Sequence, residues 1–353
     1  MDVRGCCCYS RDLLDMEVNK MNGKYSPSVN TLALAILMDL RTNAKNLRLQ
    51  VEKFENGAVA IDASQGDYNV GARVGEICMG GLGTVSITTM PVDGLYLPAV
   101  HVHTGDPVIS CMGSQYAGWQ VKVKNVETGK KWKAMSSGPA RARSKVEKKL
   151  YARIGYEDEA QAAVTVFETS KAPTDEVMEY VAGKCNVDPK DTHAIWAPTN
   201  CIVGSTQISA RVVETSIHKL FEVAHEEGYQ IEDKIVAGEG IAPIAPIAKN
   251  DLKAMGRTND AILAGGNVNL TVRVPKDEEE ILQSIMKKVP SSTAAGYGDP
   301  FYKIFKSFNF KFYDIDPGLF APALVTVNNM VTGSCISYGA LDPELLKRSF
   351  FTA

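Results

Sequence analysis

The chain has 353 residues, 45% hydrophobic and 22% charged, with 29 Gly and 16 Pro, a mixture that suits a folded globular protein and excludes a disordered or collagen-like one. At roughly 150 residues per domain, the length leaves room for about two units with a cleft between them. A net charge of −3 offers no polycationic surface, and the longest apolar run, Leu32 to Met38, is far shorter than the ~20 residues that span a bilayer, so neither nucleic acid nor a membrane is expected as a partner.

In chain order, residues 1–27 read as an N-terminal extension that closes on Gly23, Ser26 and Pro27. It carries no apolar core followed by a small-residue cleavage site, so a cytoplasmic location is expected. Its consecutive Cys6, Cys7 and Cys8 cannot easily wrap a tetrahedral metal, and Cys78, Cys111, Cys185, Cys201 and Cys335 sit singly among apolar residues, as small hydrophobes do. The folded unit is placed at 28–353, with no composition shift to fix a boundary inside it. Ser28 and Asn30 are capping types ahead of Leu32, Ala35, Ile36 and Leu40, whose spacing predicts a helix to about Leu47. Leu49 to Phe54 and Ala58 to Asp62 then read as a hairpin turned by Glu55-Asn56-Gly57.

Further strands are expected at 84–89, 99–103, 120–124 and 164–167, where β-formers alternate or cluster between Gly and Pro. Helices are expected at 175–185, from about 207 to 227, and at 278–289. Strands interspersed with helices define an α/β chain. The hairpin and the irregular connections favour mixed or antiparallel sheets covered by helices over a repeating βαβ array.

Several segments carry candidate chemistry. His101 and His103 lie two apart and so share one face of a strand, but two imidazoles without a third ligand do not make a zinc site, and a polar strand edge is the simpler reading. His193, His218 and His225 are scattered, and no nucleophile motif accompanies them. Ser136-Ser137-Gly-Pro-Ala-Arg141 offers small-residue backbone N–H groups and an Arg that could hold an anion, without the spacing of a phosphate loop. Gly256-Arg257-Thr258-Asn259-Asp260 is dense in donors and acceptors suited to a heterocycle, and also reads as a capped turn. Ala197 to Thr215 is a polar, Gly-containing loop entering a helix, on which Arg211 and Glu214 at i, i+3 share a face. Most such pairs are exposed salt bridges; a loop rich in apolar residues ahead of this one allows a cleft to desolvate both groups.

Taken together, Glu55-Asn-Gly-Ala, Glu76-Ile-Cys-Met-Gly-Gly-Leu82, Ser137-Gly-Pro-Ala-Arg141, Gln207-Ile-Ser-Ala-Arg-Val-Val-Glu-Thr215, Ala242-Pro-Ile-Ala-Pro-Ile247, Ala254-Met-Gly-Arg-Thr-Asn-Asp-Ala261, Lys288-Val-Pro-Ser-Ser292 and Phe320-Ala-Pro-Ala make the chain resemble the archaeal methenyltetrahydromethanopterin cyclohydrolases over nearly all of 28–350. The extension has no counterpart there, and Ala63 to Val74 depart from the usual loop. The resemblance implies a two-lobed subunit with an interlobe cleft, a homotrimer, and reversible hydrolysis of methenyltetrahydromethanopterin to its formyl derivative, with no prosthetic group and no catalytic metal. It puts the family's functional pair on Arg211 and Glu214, with Glu214 as general base and acid. Ser136, Ser137, Arg141, Gln207, Ser209, Arg257, Asn259 and Asp260 are the expected substrate-binding residues. The competing expectations are a pterin-binding or assembly protein without turnover, and a metal-dependent hydrolase built on His101 and His103.

Overall fold

A computed structural model describes residues 26–124, 129, 131–311 and 314–351; Cys6, Cys7, Cys8 and all but the end of the proposed extension lie outside them. The described strands form two six-stranded mixed sheets. The first runs β1 (Gln50–Lys53), β2 (Val59–Asp62), β8 (Thr192–Ala197), β7 (Ala163–Glu168), β6 (Lys131–Ser137), β5 (Trp119–Lys124). The second runs β12 (Ser334–Gly339), β11 (Leu324–Asn329), β10 (Asn267–Val272), β9 (Ile235–Pro243), β4 (Leu95–Thr104), β3 (Gly83–Val92). In the first sheet β8 pairs parallel with both β2 and β7, and in the second β10 pairs parallel with β11; the pairings β1–β2, β3–β4, β4–β9, β5–β6, β6–β7, β9–β10 and β11–β12 are antiparallel. The expected α/β class with mixed sheets is what the chain adopts.

Apolar periodicity explains the layers. Ala33, Leu37 and Leu40 of the Val29–Thr42 helix and Val70, Val74 and Ile77 of the Tyr68–Cys78 helix pack with Ile61, Val164, Val166 and Ile195 of the first sheet. Val177, Met178 and Val181 of the Asp175–Cys185 helix join a separate cluster with Trp119, Val121, Trp132 and Phe167 of the same sheet. Val212, Val213, Ile217 and Leu220 of the Val212–Glu226 helix pack with Val100, Val102, Val268 and Val325 of the second sheet.

The hairpin and the four later strands stand where the sequence puts them. The first helix ends sooner, at Thr42, where Asn43 caps it with its N–H and side-chain amide on Asp39 O. The helix expected at 278–289 spans Glu279–Met286, stopping ahead of Pro290, which disfavours helical backbone in the residue before it. The helix expected from 207 to 227 is two, Ile202–Ser209 and Val212–Glu226, broken at Ala210 and Arg211. After the break, Val212 and Val213 pack so closely on β9 that a Cβ on Gly240 would lie 2.9 Å from Val212 Cγ1.

Candidate active site

The break positions the pair. Arg211 occupies the cap position of the second helix, and Glu214 lies in its first turn, both nearly buried. Arg211 Nη1 donates to the Gln115 carbonyl at 2.6 Å; Nη2 donates to Ser137 Oγ at 2.9 Å and to Gln207 Oε1 at 3.3 Å. The guanidinium is therefore clamped by three oxygen acceptors other than its carboxylate neighbour, with Cys78 Sγ a fourth contact 3.9 Å from Nη2, and Glu214 Oε2 stands 3.8 Å from Nη1, too far for a hydrogen bond. Among the described residues no hydrogen bond reaches the Glu214 carboxylate. Burial pushes its carboxyl above the usual carboxylate range, against the pull of Arg211, His218 and Arg141.

Both side chains face a cavity of about 270 Å³. Its walls include Met135 of β6 and Glu168 of β7, both in the first sheet, and Arg211, Glu214, Thr215 and His218 from the cap and first turns of the Val212–Glu226 helix, which packs on the second sheet. Met255, Thr258, Asn259 and Ile262 of the Asp251–Gly265 helix, with Ile315, Pro317 and Phe320, complete it beside the Tyr116 to Gly118 segment. An apolar enclosure with a few convergent polar groups suits a planar heterocycle. The His218 ring stacks on Tyr116, centroids 4.8 Å apart, and burial lowers the imidazole pKa.

Of the residues expected to bind substrate, Asn259 lines the cavity, its amide donating to Met255 O at 2.8 Å. Ser137 and Gln207 stand behind the wall as acceptors for Arg211. The others do not line the cavity and have structural partners. Ser136 Oγ shares a hydrogen bond with Thr165 at 2.7 Å, because successive strand residues point to opposite faces. Ser209 donates to Pro243 O at 2.9 Å and ties its helix to β9.

Arg141 is completely buried; Nη1 donates to Met112 O and Ser114 O, carbonyls at the end of the π-helix Val108–Gln115, while Nε donates to Glu147 at 2.7 Å. It thereby holds the turn that presents Gln115 O to Arg211 and Tyr116 to the cavity. Arg257 donates to the Ile247 and Ser349 carbonyls, and Asp260 accepts from Phe301 N at 2.8 Å and from Ser349 Oγ at 2.5 Å. The segment containing them is mid-helix, not a turn. With roughly 100° between successive residues, 255, 258, 259 and 262 share the cavity face while 257 and 260 point away.

His101 pairs across strands with Glu239 at 3.5 Å, and His103 is exposed on the same face. Among the described residues no three His, Cys, Asp or Glu side chains gather as a metal site. No described helix is long and apolar enough to cross a membrane. The sequence reading omitted Glu168, Tyr116 and the participation of His218. Glu168, which accepts from Thr199 Oγ1 at 2.6 Å, lies in a different sheet from the one packed on the Glu214 helix and carries no local signal, whereas His218 is one helical turn past Glu214.

A fold of two mixed sheets with covering helices, which buries an Arg/Glu pair beside a largely apolar cavity, defines an α/β protein equipped for acid–base chemistry on a heterocyclic ligand. A family model described as cyclohydrolase (MCH) matches residues 28–350. The proteins named methenyltetrahydromethanopterin cyclohydrolase from Methanosarcina barkeri and Methanosarcina mazei are 43% and 44% identical over 326 residues, covering 92% of this chain and 98% of each relative. The protein of that name from Methanocaldococcus jannaschii is 42% identical over 327 residues, 91% of this chain and 98% of its own. The chain belongs to the MCH cyclohydrolase family.

Proposed function

We propose that this chain catalyses the reversible hydrolysis of N5,N10-methenyltetrahydromethanopterin to N5-formyltetrahydromethanopterin in archaeal one-carbon metabolism. The observation that carries the proposal is a buried, weakly partnered carboxylate, Glu214, facing a cavity sized for a ring system. The methenyl carbon bridges two nitrogens in a delocalised cation. Water must lose a proton as it attacks, and the leaving nitrogen must gain one as its C–N bond breaks. Glu214 serves both steps, as general base to water and then as general acid to N10. Its ionised form also attracts the cationic ring in a desolvated setting.

Arg211 favours the ionised form of Glu214 against the effect of burial, and its other acceptors hold it off the carboxylate, so the base stays available. Asn259 and Thr258 offer polar atoms to the heterocycle from the facing helix. Because one carboxylate supplies both proton transfers, the reaction as read here needs no prosthetic group and no catalytic metal. The family resemblance supports a cytoplasmic homotrimer with a two-lobed subunit.

The test follows the loss of methenyl-pterin absorbance with purified protein, before and after exhaustive chelation. Turnover that survives chelation is expected. Binding without turnover would instead make the chain a pterin-binding protein, and turnover lost on chelation and restored by a metal ion would transfer the chemistry to a metal site.

A further inference from the structure

The reaction proposed above releases a proton that the pair does not account for. Water brings two hydrogens to the methenyl carbon; the opened nitrogen keeps one, and the other leaves when the carbinol hydroxyl becomes the formyl carbonyl. Each hydrolysis of the cation to a neutral product thus discharges one proton beside the buried Glu214 carboxyl. In the reverse direction one must enter.

Glu214, His218 and Glu222 follow one another at i, i+4 and i+8 along the Val212–Glu226 helix, on a single face with about 6 Å between steps. Glu214 lines the reaction cavity. The His218 side chain lines both that cavity and a neighbouring surface groove, so its ring is part of the wall between them. Glu222 lines the groove, with its side chain about one-third exposed, and its Oε1 lies 3.6 Å from His218 Nε2. Stacking on Tyr116 fixes the ring plane. We propose that His218 and Glu222 form a proton relay that carries the surplus proton from Glu214 to solvent, with Glu214 the inner and Glu222 the outer terminus.

In each passage one His218 ring nitrogen gains the proton that leaves the Glu214 carboxyl and the other gives up its proton toward Glu222, which passes it to water; neither gap is a hydrogen bond in this structure, so each is crossed through a bridging water, and the ring ends neutral, with its tautomer exchanged and restored by a ring flip or by the reverse passage. A buried imidazole that favours its neutral form suits this carrier role, since it holds one N–H and one free lone pair.

The relay rests on the proposed cyclohydrolase activity, and wild-type turnover checks that activity separately. In weakly buffered solution, His218→Ala is expected to lose at least about tenfold in kcat with little change in KM. Added imidazole, which fits the vacated space, is expected to restore the rate in a saturable way while leaving the wild-type rate unchanged. Glu222→Gln, at a side chain about one-third exposed and outside the core, is expected to slow turnover less and to be relieved by raising the concentration of a small buffer. The relay is overturned if His218→Ala turns over as fast as wild type in weak buffer, or if the losses in both variants are indifferent to imidazole and buffer concentration. A wild-type protein that fails to hydrolyse the methenyl pterin would instead overturn the activity on which the relay depends.

Discussion

Replacing Glu214 with Gln separates catalysis from stability, because the two effects have opposite signs. At 3.8 Å from Arg211, an ionised Glu214 gains roughly 4 kcal/mol of gross attraction at an effective dielectric of about 20. Its carboxyl is nevertheless raised above the usual range, so desolvation outweighs that attraction. A group with a raised folded-state pKa contributes stability that is complete at low pH and lost as pH rises through that value. The wild type loses it as pH rises, whereas the amide carries no such loss. Arg211 retains Gln115 O, Ser137 and Gln207 in the variant, so no buried charge is stranded. Glu214→Gln is therefore expected to leave Tm unchanged or higher, while kcat falls by roughly 10² to 10⁴, about 3 to 5 kcal/mol of barrier. Turnover is read from methenyl-pterin absorbance and stability from thermal unfolding of the same preparation. Turnover near the wild-type rate would refute the general-base assignment. A large drop in Tm accompanying lost activity would refute the electrostatic argument, because the loss would then be one of folding.

Two further perturbations test neighbouring parts of the structure. Ser137→Ala removes the charge-assisted hydrogen bond at Arg211 Nη2, of a kind worth about 1.5 to 3 kcal/mol, and is expected to lower kcat roughly tenfold with little effect on KM; an unchanged kcat would remove Ser137 from the clamp. Asp260, buried between Phe301 N and Ser349, has its pKa pushed up to about 7, so its contribution to stability is complete below about pH 4 and lost as pH rises toward and through about 7, an effect on the order of a few kcal/mol. Asp260→Asn should flatten this dependence, and parallel Tm profiles for the two proteins between pH 4 and 8 would contradict it.

Local elements were legible where one physical signal dominated. The Asn56-Gly57 turn fixed a hairpin, and alternation located β3, β4, β5 and β7 within a few residues. The Asp251–Gly265 helix was hidden because Gly256, unfavourable in a helix interior, interrupts it; the glycine is there for packing, since a Cβ would lie 2.6 Å from Tyr302 Cβ. Donor and acceptor chemistry alone put Arg257, Asn259 and Asp260 together; the helical period, which separates 257 and 260 from 259, was not available to divide them. The break at Arg211 was hidden for the opposite reason: helix-compatible residues run through it, and the interruption arises from contacts with β9, Gln115 and Ser137 that are remote in sequence. The Arg-x-x-Glu spacing was visible, but its meaning depends on the clamp. Because the chain bends there, the guanidinium is held inside the protein by its acceptors and the carboxylate is left facing the cavity with no hydrogen bond from the described residues. Basicity at Glu214 is therefore a product of tertiary structure, and spacing alone could locate the residue without disclosing what tunes it.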